Sequence, residues 1–215
     1  MGILKRIFES DSTRKLRVER ELKENKEKVK KIATESLDSK GRAELEVITP
    51  NHGRYIIEIS RDDFDNHMKL EFKSTGNYNS NKVMTFEDSG YCPVGLGILY
   101  EENETFFMVD AYQKFMKLKK GEKFSLLLST KEVIEFEFDK DGYRIDKDQD
   151  GVIYENKIKV DDDFLNKVCE NELVKWRYIS HSADKKTGQL EDGQKARFKE
   201  AVQIFKQVYS DFIHR

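Results

Sequence analysis

After Gly41 the apolar residues of this chain leave a helical spacing and recur at every second position, and a period of two buries one face only when the backbone is extended. Ala43, Leu45 and Val47 alternate with Glu44 and Glu46, Pro50-Asn51-His52-Gly53 is a turn, and Tyr55, Ile57 and Ile59 share one face of a second strand. The two segments are expected to form a hairpin. Further strands are expected at Met68–Lys73, Lys82–Glu87, Val94–Tyr100, Thr105–Asp110, Lys123–Ser129 and Lys131–Asp139, separated by Gly, Asn and Asp clusters. The clearest alternation sets Ile134, Phe136 and Phe138 against Glu135, Glu137 and Asp139. Connections this short imply antiparallel pairing, because parallel strands need a crossover of about a dozen residues or more, and the expected sheet is a meander of hairpins.

Helical spacing frames this β-rich stretch. From Asp11 to Leu37 there is no Gly or Pro, and Glu19–Lys23, Glu24–Lys28 and Glu27–Lys31 stand at the i,i+4 spacing that supports an exposed helix. Its apolar residues Leu16, Leu22, Val29, Ile32 and Leu37 form a thin stripe, with Leu22, Val29 and Ile32 as the expected partner-binding positions. Near the other end, Asp161–Glu170 reads as a short helix with Phe164, Leu165 and Val168 inward. Val174, Trp176 and Tyr178 alternate with Lys175, Arg177 and Ile179 in a strand, and Gln194–Ile213 carries Phe198, Val202, Phe205, Tyr209 and Phe212 at steps of four and three. The fold class is therefore α+β: mainly antiparallel sheet, a long N-terminal helix, a short helix at 161–170 and a C-terminal amphipathic helix packed on the sheet. The organisation is a charged arm over 1–38 and one β-rich domain over 41–215, with residues 111–121 as the place where it can divide.

Charge narrows the partners. Net charge is −2, and residues 1–40 hold 12 Lys and Arg against 8 Asp and Glu, so only the arm is mildly basic and no specific nucleic acid is expected. Cys92 and Cys169 stand far apart in apolar sequence, which fits a reducing compartment, and the expected location is cytoplasmic. Met1–Phe8 lacks the apolar run of about 7–15 residues of a secretion signal, and no stretch approaches the roughly 20 apolar residues of a membrane span. Ile3, Leu4, Ile7 and Phe8 beside Lys5 and Arg6 are the positions for peripheral membrane contact.

The motifs that carry chemistry are incomplete. Asp146, Asp148, Asp150 and Gly151 reproduce the start of a calcium loop, but the position that needs a bidentate Glu holds Lys157 and the flanks read as strands. Those three aspartates are the metal candidates for a divalent ion, but the preferred reading is a hairpin turn, and no cofactor is expected. Glu71 and Lys73 with Asp62, Asp63 and Asp65 resemble in type the carboxylates and lysine of metal-dependent nucleases, yet such charged groupings arise freely in a chain with 37% charged residues, as Glu122-Lys123 and Glu24–Lys26 do. His52, His67, His181 and His214 form no close pair, and Gly95-Leu96-Gly97 lacks the rest of a phosphate loop. Trp176 and Tyr178 share a strand face that reads as core rather than as a stacking platform. No catalytic residue is assigned. The expectation is a non-enzymatic interaction module whose residues 1–38 recruit a protein partner, a second copy or a membrane surface. The alternative is a metal-dependent hydrolase or nuclease whose acidic residues, from 61–73 or 139–150, gather in the fold.

Overall fold

The computed structural model describes residues 42–49, 53–61, 68–74, 83–87, 90–147 and 151–213, with Leu16, Arg20, Lys23, Glu24 and Glu27 of the arm. Those arm positions are helical and exposed, and Arg20 meets Glu24 at 3.8 Å one turn on. Leu16, expected on the docking stripe, is 68% exposed. The rest of the expected Asp11–Leu37 helix, with Leu22, Val29 and Ile32, lies outside the described residues, as do Ile3, Leu4, Ile7 and Phe8.

The described residues of the body form a 12-stranded sheet whose paired strands are all antiparallel. Strands β1 (Arg42–Thr49), β2 (Gly53–Arg61) and β3 (Met68–Ser74) follow one another, and β1 pairs with β2 in the register the first hairpin requires, Leu45 opposite Ile57. The meander ends there. Strand β5 (Gly90–Glu101) pairs along one edge with β6 (Glu104–Tyr112), while its other edge is shared by β4 (Val83–Glu87) and by Leu70 and Glu71 of β3. Gly95 and Gly97 lie buried in this doubly paired strand, a strand role rather than a phosphate-loop one.

From β4 the sheet continues through β12 (Lys185–Gln189), β11 (Leu173–Ile179) and β7 (Lys123–Leu128) to β8 (Val133–Glu137). From β6 it continues through β10 (Gly151–Val160) to β9 (Tyr143–Lys147). Strands thus cross-pair on both sides of 111–121, β6 with β10 and β4 with β12. Sequence periodicity missed β12, because Lys185-Lys-Thr-Gly-Gln189 carries no large apolar residue, and a bulge at Val174 puts Leu173 rather than Val174 on the buried face.

The sheet curls. Six strand steps separate β6 from β8 along the hydrogen-bonded path, roughly 29 Å in a flat sheet. Yet the Phe107 ring on β6 stacks on Phe136 of β8 with centroids 5.6 Å apart. The enclosed space holds Phe124, Phe138 and Trp176, with Phe124 and Trp176 stacked at 5.9 Å. Helix α1 (Asp162–Glu170) buries Phe164, Leu165 and Val168 against this core, as its sequence requires. Helix α2 (Asp192–Ile213) buries Phe198, Val202 and Phe205 and packs on α1, β4 and β11. Lys199 Nζ and Gln203 Nε2 of α2 donate to the carbonyls of Glu170 and Cys169, satisfying the free C-terminal end of α1. Among the described residues no helix is long and apolar enough to cross a membrane.

Candidate functional site

Where the two ends of the curled sheet meet, hydrogen bonding between them lapses and a cleft of about 340 Å³ opens. Ile134 and Phe136 of β8 form one wall, Lys159 and Val160 of β10 a second, and Asp161 with Asp163, Phe164 and Lys167 of α1 a third. The floor is apolar because Phe136 meets Phe164 edge to face at 5.6 Å and Phe164 lies 5.5 Å from Phe107. The rim is charged. Lys167 bridges Asp163 at 2.9 Å and Glu132 at 3.0 Å, which ties α1 to the β7–β8 turn and pushes its ammonium pKa up through those hydrogen bonds. Lys159 pairs with Glu104, and Lys157 with Glu101 at 2.7 Å. Burial alone would raise the Glu101 carboxyl, but Lys157 and Lys69 outweigh it and hold the group below its usual range.

Each wall has a local cause. Asp161 ends β10 and caps α1, its Oδ1 accepting the Phe164 N–H at 2.9 Å, so the chain turns from strand to helix and drops Phe164 into the gap. Earlier on β10 Asn156 is buried, and its Nδ2 donates to the Lys140 carbonyl at 2.9 Å and to the Leu118 carbonyl at 3.4 Å. This amide holds the β8–β9 connection against β10 where no ladder does. Asn156→Asp places an acceptor against two carbonyl oxygens, so it is expected to destabilise the protein more than Asn156→Ala, which leaves the Lys140 carbonyl unpaired at about 1–3 kcal/mol while the Leu118 carbonyl keeps the Gly142 N–H. Urea unfolding of the two variants checks the order, and equal costs would remove the donor role.

A second polar cluster lies at the start of β7. Glu122 is only 6% exposed. Its Oε2 accepts the Lys119 N–H at 2.7 Å and the Tyr178 hydroxyl, and its Oε1 lies 3.4 Å from the His181 N–H. Burial first, and then the Glu122 hydrogen bond and charge, push the Tyr178 phenol far above its ordinary value, so it stays protonated. Gly121 at φ +79 brings the chain to within 3.1 Å of His181 Cε1, measured from where a Cβ would stand. Beyond lies an exposed turn in which Ser182 Oγ reaches Asp184 Oδ2 at 2.6 Å and Ser180 Oγ at 2.8 Å. The cluster joins the segment before β7 to the β11–β12 hairpin, and its chemistry is that of an anchored acceptor.

Of the carboxylates and lysine weighed as metal or nuclease groups, those that are described lie in neither place. Asp148 and Asp150 lie outside the described residues and Asp146 stands in β9, whose pairing with β10 means that the calcium-loop candidate joins two strands rather than two helices. Glu71 and Lys73 stand in β3, and Asp62, Asp63 and Asp65 lie outside the described residues. Among the described residues no group of three or more His, Cys, Asp or Glu is placed to hold a metal ion. Trp176 and Tyr178 are buried and Arg177 is exposed on the other face, as a core strand demands. Cys169 is half-buried and its thiol is pushed up by that burial. Periodicity found the cleft's walls as core positions but not the gap between them. In sequence Glu122 stands out only as one of many charged pairs, with Lys123, and Phe124 two residues on in an apolar strand is the signal beside it. Set against known proteins, the chain matches no family model, no curated protein and no solved structure.

Proposed function

We propose that this chain is a non-enzymatic protein-interaction module, with residues 1–38 recruiting a protein partner and the cleft between β8, β10 and α1 as its docking surface on the body. The observation that carries this reading is the cleft itself: an apolar floor of Ile134, Phe136, Val160 and Phe164 inside a rim of charged side chains. An apolar centre within a polar rim is the form that protein–protein contacts take. The described carboxylates nearby act as caps and ion-pair partners, Asp161 for α1 and Asp163 for Lys167.

The test is affinity capture from the host's lysate with three full-length chains. One is the natural sequence, one carries Ile134→Trp, whose larger ring fills the cleft, and one carries Leu22→Asp, Val29→Asp and Ile32→Asp in the arm. A protein held by the natural chain is expected to be lost by roughly tenfold or more in both variants, the scale of one interface anchor. Equal retention by all three chains would overturn the reading. Divalent-metal-dependent hydrolysis of a nucleic acid or ester by the purified chain would favour the metal-dependent hydrolase instead.

A further inference from the structure

The cleft exposes peptide groups as well as side chains. Hydrogen bonds in an antiparallel ladder alternate between facing the partner strand and facing away. The Phe138 N–H donates to the Glu122 carbonyl, and the Leu128 N–H to the Glu132 carbonyl. By that alternation Ile134 and Phe136 turn their peptide groups to β7, while Val133, Glu135 and Glu137 turn theirs outward. Among the described residues β8 has no second partner strand. Across the cleft the Gln113 N–H donates to the Val152 carbonyl. This fixes Asn156, Ile158 and Val160 toward β6 and leaves Lys157 and Lys159 pointing away from it, beyond the last β9 pair, Glu155 with Tyr143.

Resting on the reading of the cleft as a protein-docking surface, we infer that the β8 edge receives an extended segment of a partner protein as an added strand, and that this segment alternates apolar with basic side chains. The alternation follows from β8 itself. Side chains on the cleft side of an added strand lie beside Ile134 and Phe136 and over Val160 and Phe164, an apolar surface that apolar groups match. Those on the other side lie beside Val133, which is 53% exposed, and beside the exposed carboxylates of Glu135 and Glu137. Lys123 on β7, 2.7 Å from Glu135, and Arg177 on β11 lie inward of these carboxylates, so the outermost charge on the edge is negative. Opposite charges side by side across strands attract, and like charges repel. The same rule disfavours a second copy. Antiparallel self-pairing centred on the strand's midpoint sets Glu135 against the other copy's Glu135. The acids thus guard the edge against its own kind and select a basic strand.

The experiment titrates the full chain with acetyl-Val-Lys-Val-Lys-Val-Lys-amide and with its acidic counterpart, acetyl-Val-Glu-Val-Glu-Val-Glu-amide, by calorimetry. Amide hydrogen exchange reads the site. The basic peptide is expected to bind at least tenfold tighter than the acidic one and to protect the Val133, Glu135 and Glu137 amides. Glu135→Lys with Glu137→Lys is expected to reverse the preference, a gain that a misfolded chain cannot give. Glu135→Pro removes one outward N–H, leaves the β7 ladder intact, and is expected to abolish binding. Equal binding of the two peptides, or protection elsewhere than on β8, would overturn the inference. If neither peptide binds but Ile134→Trp still loses a captured protein, the docking surface stands and strand addition falls; if that loss is absent too, both fall.

Discussion

Gly188→Ala is expected to lower stability by about 3 kcal/mol, the upper end of the usual cost of overpacking, and the melting temperature by roughly 6–12 °C for a chain of this size. A Cβ at this position would stand 2.3 Å from Trp176 Cε2 and 2.4 Å from Cζ2 and Nε1, closer than any real contact. Neither side can yield. Trp176 is 1% exposed and stacked on Phe124, and the backbone of Gly188 is paired with Trp176 on one side and Glu87 on the other. Thermal and urea unfolding measure the loss. The indole is the cause if Trp176→Leu combined with Gly188→Ala is at least about 1 kcal/mol more stable than the two single losses added together. A Gly188→Ala chain that unfolds with the natural one would show that β12 does not hold this register.

Glu122→Ala is expected to cost at least as much, about 3–6 kcal/mol. It strands the Lys119 N–H and the buried Tyr178 hydroxyl, each bonded to a carboxylate, at about 1.5–3 kcal/mol apiece. Glu122→Gln keeps the shape and an acceptor and is expected to cost less than half as much. The phenol supplies an independent readout. Tyr178 titrates higher in the folded chain than at its ordinary value of 10.0, so the stability it contributes is complete below pH 10.0 and falls as pH rises beyond it. Removing Glu122 takes away a cause of the shift, so the alkaline loss of stability is expected to be shallower in Glu122→Ala. Parallel alkaline curves in the two chains would uncouple Tyr178 from Glu122.

What sequence made legible here was local. A hairpin is written in adjacent residues, so β1–β2 and β7–β8 follow from alternation and a turn, and α1 follows from Asp161 before Phe164, Leu165 and Val168. The pairings of β3 with β5, β4 with β12, β6 with β10 and β7 with β11 join segments whose patterns say nothing about each other. The expected meander failed for that reason. The same reason hid the cleft, which exists only because β8 and β10 arrive at one place without pairing. Gly188 fits the account as well: a strand that must pass beneath an indole cannot carry a side chain there, and so it leaves no apolar stripe to be read.

The pairing of β4 with β12 also has a meaning in time. Glu87 meets Gly188, about a hundred residues later in the chain. As a nascent polypeptide leaves the ribosome, β4 emerges long before the strand that will cover its outer edge, and until then that edge is an open template for other chains. Closure of the curled sheet therefore waits until β12 has been translated, and the interval before it is when the growing chain is most exposed to misassembly.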